Sequence, residues 1–204
     1  GVEPAADLLT DLTLEILQLV PGEDRENFIA SAGRLGVPER LRERLRRGTV
    51  RKRMTAAEAL AFFDDAPSVA ALEAALDDPS ADVRLAAALS LAATDEAPAA
   101  TDLVDRLGIG TGENSLLTIT LFREIARKRP EEVKALVLDP ATLPPVKAAA
   151  IEALAASGDY ALISVIDDLA MAADPEGEEL PRYLHALGEF GHPAGAPAVQ
   201  QGLN

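Results

Sequence analysis

The stretch DPSADVRLAAALSL at residues 78–91 decides the fold, because it joins a helix stop to the start of an amphipathic helix. Its opening Asp-Pro pair ends the preceding helix, since proline disfavours helical backbone at the residue before it. In the helix that follows, Val83, Ala87 and Leu91 recur at every fourth position and therefore share one face. The stretch thus predicts a short helix whose apolar stripe must pack against another element.

A second helix, predicted from Ser68 to Leu76, supplies that element just upstream of the Asp-Pro turn. Its residues Val69, Leu72 and Leu76 are spaced i, i+3 and i+7, which places them on one face. The two stripes are expected to pack together as a helix pair. Because a single pair leaves apolar surface open, neighbouring pairs must stack to complete a core.

The same unit recurs along the chain. PVKAAAIEAL at residues 145–154 repeats the order of valine, base, small residues and closing leucine. RMTAAEAL at 53–60 is a third copy, and RYLHAL at 182–187 is a weaker one. The closing aliphatic positions are Leu60, Leu91, Ile125, Leu154 and Leu187. Their spacings of 31, 34, 29 and 33 residues predict helix pairs joined by loops of unequal length.

This pattern resembles the HEAT and HEAT-like repeat family. The matching motif is an Asp-Pro turn followed by Val-Arg and small residues, clearest at 78–88 and present again at 139–149 with Val-Lys. The resemblance covers about residues 49–204. It implies an all-α fold, a right-handed α-α superhelix or HEAT-like solenoid. Because the motif is structural, the resemblance says little about function.

Residues 1–48 lack the motif. They are predicted to be divergent helices that cap the N-terminal end of one continuous solenoid over residues 49–204. One of these helices is expected to begin at Pro4, and two more are expected over 23–35 and 38–47.

The two ends of the chain suggest a portion of a longer protein. A helix predicted over 193–203 is not followed by the Asp-Pro turn and second helix that would complete a pair. Either this helix caps the array by itself, or the sequence stops inside a longer protein. The chain begins with Gly1 rather than Met, which leaves open a targeting or membrane segment upstream. We expect a cytoplasmic protein that is membrane-associated only through such an anchor.

The composition excludes several kinds of site. The chain has no Cys, so disulfides, Cys-ligated zinc and iron–sulfur clusters are excluded. Its net charge of −15 argues against nucleic acid as a partner, because that binding depends on Lys and Arg contacts to phosphate. No apolar stretch approaches the ~20 residues that a membrane span needs.

The basic segment, residues 34–53, is the most informative local feature. It holds nine of the nineteen Lys and Arg residues of an otherwise acidic chain. One interpretation is a docking patch for an acidic protein or an anionic membrane surface. The other is a solvated helix face paired with Glu39, Glu43 and the acidic body. The predicted partner-binding residues are Arg40, Arg42, Arg44, Arg46, Arg47, Arg51 and Lys52.

Other candidate residues are predicted to be structural. The resemblance implies that Arg84 and the matching Lys147 meet an acid of the inter-helix turn, Asp78 or Asp82 in the case of Arg84. GIGTG at residues 108–112 lacks the Lys-Ser/Thr of a phosphate-binding loop and is expected to be a flexible inter-helix loop.

The sequence predicts no catalytic, cofactor-binding or metal-binding residue, and no cofactor. His185 and His192, the two histidines, are predicted to be surface or capping residues. Acid pairs such as Asp77-Asp78 lie at helix ends, where turn and solvation roles account for them.

Repeat architecture without a catalytic constellation favours a non-catalytic protein–protein interaction scaffold, with a protein partner and no nucleic acid. Two alternatives stay open: a lyase or enzyme subunit of the HEAT-like type, and peripheral membrane docking through residues 34–53. The hydroxylase type of HEAT-like enzyme carries His-Glu dipeptides, whereas Ala186 follows His185 here. The resemblance also suggests a bacterial protein that forms the soluble part of a membrane-anchored chain.

Overall fold

The computed structural model describes residues 23–63, 65–94, 97–110, 116–155 and 162–190, together with five positions between 10 and 16. The described residues from 23 to 190 form eleven α-helices, the five earlier positions are also helical, and none of the described residues lies in a β-strand. The helix predicted over 193–203, and most of the one predicted from Pro4, lie outside the described residues. The chain divides into two compact units, unit 1 (Gly1–Ala97) and unit 2 (Pro98–Asn204).

Unit 1 contains two helix pairs preceded by one further helix. Its helices are α1 (Glu23–Arg34), α2 (Val37–Arg47), α3 (Val50–Leu60), α4 (Ala66–Ala75) and α5 (Ala81–Ala92). α2 packs against α3 and α4 against α5, while α3 also packs against α5 and α2 against α4. The unit is therefore two layers of helices, with α2 and α4 in one layer and α3 and α5 in the other.

Side-chain caps fix where these helices begin. α4 begins at Ala66, two residues earlier than predicted, because the carboxylate of Asp65 accepts a hydrogen bond from the Ser68 backbone N–H at 2.9 Å. α3 begins after Thr49, whose hydroxyl accepts from the backbone N–H of Lys52 at 3.4 Å.

Unit 2 repeats the two-layer arrangement. Its helices are α6 (Ala100–Leu107), α7 (Leu116–Lys128), α8 (Pro130–Leu138), α9 (Pro144–Ala155), α10 (Ile163–Ala172) and α11 (Glu179–Phe190). α9 packs against α7, α8 and α11, and α10 packs against α11. α8 packs against both α6 and α7.

The predicted repeat register is confirmed by burial. Leu60, Leu91, Ile125, Leu154 and Leu187, the five closing positions, are all buried. Alanine lets the layers approach closely, since side chains of this size add little thickness between helices. Eight of the twelve residues of α9 are buried, and five of those eight are alanines, at 148–150, 153 and 155. The all-α fold of stacked helix pairs is confirmed in both units.

The predicted division between residues 1–48 and 49–204 falls at Gly48-Thr49, in the short connection between α2 and α3. These two helices pack together as a pair. Among the described residues, no helix combines the length and the apolar character needed to cross a bilayer.

We expect Leu154→Ala to lower the free energy of unfolding of the protein by about 3 kcal/mol. Leu154 is fully buried, so the smaller side chain of alanine would leave a cavity between the surrounding helices. Leu138→Ala is the matched control, since Leu138 is 57% exposed and the change should cost well under 1 kcal/mol. Denaturant unfolding followed by circular dichroism measures both. Equal losses would contradict the assigned packing.

Candidate functional site

The basic segment occupies the end of α1, all of α2 and the first turn of α3. α2 buries Val37, Pro38, Leu41 and Leu45 on one face, so its charged residues are confined to the remaining surface. The local sequence thus folds the segment into an amphipathic helix whose polar side is almost entirely arginine and glutamate.

The seven predicted binding residues differ in their surroundings. Arg46 and Arg47 are exposed, and both pair with Glu43 on their own helix, at 2.6 and 3.0 Å. Arg40, Arg51 and Lys52 are exposed, and Arg44 is half-buried. Exposed pairs within one helix contribute little to stability, so breaking the pairs of Arg46 and Arg47 with Glu43 would cost little.

Arg42 has a different environment from the other predicted residues. Its side chain is only 16% exposed, and one guanidinium nitrogen donates to Asp65 at 3.2 Å and to the hydroxyl of Ser68 at 3.1 Å. A second nitrogen lies 3.1 Å from Glu39. Arg42 thereby joins α2 to the N-terminal cap of α4.

Arg53, also in the basic segment, makes the best-formed ion pair of unit 1 among the described residues. Its Nε and Nη2 donate to the two carboxylate oxygens of Asp78 at 2.8 and 2.9 Å, and Nη1 donates to the carbonyl of Gly48 at 2.9 Å. A bidentate pair with both side chains largely buried fixes geometry more strongly than a surface pair does. Arg53 therefore ties the start of α3 to the turn between α4 and α5.

Burial alone would raise the pKa of Asp78. The hydrogen bonds and charge of Arg53, the backbone N–H of Ser80, which donates at 2.8 Å, and the charge of Arg84 together outweigh burial and hold this pKa below its usual value. Arg84 donates to the backbone carbonyl of Asp78 at 2.9 Å. The expected contact of Arg84 with a turn carboxylate is thus replaced by a carbonyl contact, because Arg53 occupies the carboxylate.

Unit 2 contains two comparable connections between helices distant in sequence. Arg182 of α11 donates to Glu152 of α9 at 2.9 Å. Glu132 of α8 accepts from Arg129 at 3.0 Å and from the backbone N–H of Ala100, at the start of α6, also at 3.0 Å. Arg182 and Glu152, and likewise Glu132 and Ala100, lie about one repeat apart, so a charge on one helix pair is matched by a group on the next.

The glycines at the end of α6 have structural roles. Gly108 has a φ of 66° and caps the helix in the left-handed conformation. Gly110 has a φ of 92°, and a Cβ atom there would lie 2.8 Å from Cγ2 of Val146 and 3.2 Å from Cδ1 of Leu143. The described part of the predicted flexible loop is therefore held by backbone conformation and close packing, while residues 111–112 lie outside it.

The other candidates do not assemble into a site within the described ranges. His185 is exposed on α11, and His192 lies outside those ranges. No group of three or more His, Asp or Glu side chains in the described part of the chain is arranged to hold a metal ion.

A family model described as HEAT repeats matches residues 25–115. Residues 25–115 carry HEAT-like repeats. The matched residues take in nearly all of α1 and the whole of α2 to α6, so the HEAT-like region includes residues 25–48, which lack the Asp-Pro motif. A search of the curated proteins finds no match to the chain.

We expect Asp78→Asn to lower the free energy of unfolding by about 3 kcal/mol at neutral pH, because it leaves the largely buried Arg53 without its ionic partner. The folded pKa of Asp78 lies below the unfolded one, so the pair stabilises the protein fully above the unfolded pKa. That stabilisation is lost as the pH falls through the folded pKa. The difference in free energy of unfolding between the unaltered protein and Asp78→Asn should therefore shrink below about pH 4. Glu58→Gln, at an exposed position of α3, is the control and should show almost no difference.

We expect Gly110→Ala to destabilise the protein by about 1 kcal/mol or more, because alanine is strained at this φ and its Cβ would contact Val146. Gly33→Ala is the matched control, since a Cβ there meets nothing within 4 Å on helix α1. It should stabilise the protein by up to about 1 kcal/mol. Thermal unfolding should show a lower melting temperature for Gly110→Ala and a higher one for Gly33→Ala. A stabilising Gly110→Ala would contradict the described packing.

Proposed function

We propose that this protein is a non-catalytic protein–protein interaction scaffold. The observation that carries the proposal is the HEAT-repeat match over residues 25–115, because HEAT repeats generally mediate interactions between proteins. The stacked helix pairs support it, since such repeats present an extended surface on a self-supporting frame.

Two groups with a shifted pKa support a structural use of the interior. Asp78 is held by Arg53 in an inter-helix pair. Burial, aided by the charge of Glu179, raises the pKa of Tyr183, whose hydroxyl donates to the carbonyl of Pro144 at 3.4 Å. Both groups therefore connect elements of the fold.

We propose further that the basic segment docks an acidic segment of the partner. The basic segment contains nine Lys and Arg residues and two acidic residues, within a chain whose net charge is −15. Such a local reversal of sign attracts an acidic surface, orients its approach and disfavours other basic proteins. The exposed residues Arg46 and Arg47 are central to this proposal, and Arg40, Arg51 and Lys52 extend the same charge.

The residues of the proposed docking surface fall into two groups for mutagenesis. Arg42 contacts Asp65 and Ser68, so replacing it disturbs α4 as well as any docking contact. The described ion pairs of Arg46 and Arg47 are both with Glu43 of the same helix, α2. We therefore expect their replacement to leave the packing between helices intact. They are the better probes of binding.

We expect Arg46→Glu combined with Arg47→Glu to weaken binding of an acidic peptide by about tenfold, because two attractive charges become repulsive. The peptide is selected from an array of acidic sequences, and its dissociation constant is measured by fluorescence anisotropy at low and at high salt. Binding by the unaltered protein should weaken as salt rises.

The control is Arg127→Glu combined with Lys128→Glu, which changes the net charge equally on exposed residues of α7. This control should bind the peptide as the unaltered protein does. If both double variants bound the peptide equally weakly, net charge alone would explain the loss of affinity. That result would contradict a defined docking surface. Binding to phosphatidylserine vesicles through Arg46 and Arg47, without peptide binding, would favour membrane docking instead.

A further inference from the structure

Unit 2 contains an open cleft of about 330 Å³ between α6, the end of α8 and the turn that leads into α9. Its volume is at the lower end of the range of ligand-binding clefts and suits one large side chain with its neighbours. The cleft lies wholly within unit 2 and contains none of the basic segment.

The floor and one wall of the cleft are apolar. Ile109, Leu136 and Val146 form a floor that is itself buried in the unit. Leu143 stands on the wall and is 47% exposed. The close approach of Gly110 to Leu143 and Val146 holds the α6 end of the cleft against the α8–α9 turn. The apolar surface is therefore preformed.

The rim of the cleft is negative. Asp105 and Asp139 line it and are exposed, and one oxygen of Asp139 accepts from the backbone N–H of Ala141 at 2.9 Å. Asp105 lies in the last turn of α6, and Asp139 directly follows α8. Both helices therefore direct their C-terminal ends, which carry partial negative charge, toward the same rim.

Two cations of α6 and α8 each lie near an acid of their own helix. Arg106 lies 3.6 Å from Asp102, and Lys134 lies 2.9 Å from Glu131. The rim thus combines two carboxylates with two helix C-termini around an apolar floor. A complementary ligand carries one aliphatic group and a positive charge beside it.

We propose that this cleft binds a segment of a partner protein in which a leucine-like side chain lies next to lysine or arginine. The aliphatic side chain occupies the apolar floor beside Leu143, and the cation meets Asp105 and Asp139. The inference rests on the proposed scaffold function but adds a second surface, with the opposite charge preference to the basic segment.

The probe is a short synthetic peptide containing Leu-Lys-Leu-Arg between glycine and serine residues. Its binding to the isotopically labelled full chain is followed by two-dimensional NMR. We expect saturable shifts confined to residues 101–109 and 136–146. A second peptide with glutamate in place of Lys and Arg should cause none of these shifts.

Variants test the residues of the cleft. Leu143→Ser should weaken peptide binding at least about fivefold, because it removes the apolar contact of the wall. Asp105→Asn combined with Asp139→Asn should do the same, because it removes the two charges that meet the cation. Asparagine at 139 keeps the acceptor for the Ala141 N–H. Leu117→Ser and Asp168→Asn change exposed residues of unit 2 that do not line the cleft, and should bind normally.

Three results would overturn the proposal: shifts outside the cleft, equal binding of the glutamate peptide, or unchanged binding by the cleft variants. Binding of leucine amide as tight as that of the peptide would also overturn it, since the cleft would then be a small-molecule site. The double variant of Arg46 and Arg47 should bind this peptide normally. The cleft proposal and the basic-segment proposal use different peptides and different variants, so the failure of one can be told from the failure of the other.

Discussion

Each helix of this protein depends on its neighbours, and that dependence organises the rest of the structure. The described helices have 8 to 13 residues, a length at which isolated helices are marginal in water. An apolar stripe such as that of Val83, Ala87 and Leu91 becomes stabilising only when other helices cover it. Stacked pairs, alanine-rich layers and short connections all satisfy this one requirement.

Charged side chains then fix how successive helices meet. Arg42 and Arg53 in unit 1, and Arg182 in unit 2, connect elements that are distant in sequence. Arg129 does the same by donating to the carbonyl of Pro98. These arginines are engaged within the packed helices, so the proposed docking surface relies on the exposed arginines at the end of α2, and the proposed cleft site of unit 2 has the opposite charge preference.

The sequence predicts those features that depend on near neighbours along the chain. The helix pair around residues 78–91 follows from spacing and from one Asp-Pro turn, and its buried stripe agrees with the structure. The roles of Arg42 and Arg53 could not be predicted, because their partners lie 23 and 25 residues away on another helix pair. The cleft likewise could not be predicted, since its lining comes from α6, the end of α8 and the turn before α9 rather than from one motif.

The division between framework cations and surface cations is the central claim, and double-mutant cycles test it most directly. The first cycle replaces Arg53 and Asp78 by alanine, singly and together, and the second does the same for Arg47 and Glu43. Denaturant unfolding should give a coupling free energy of about 1–3 kcal/mol for the first pair and near zero for the second. Equal coupling in the two cycles, or none between Arg53 and Asp78, would contradict the account.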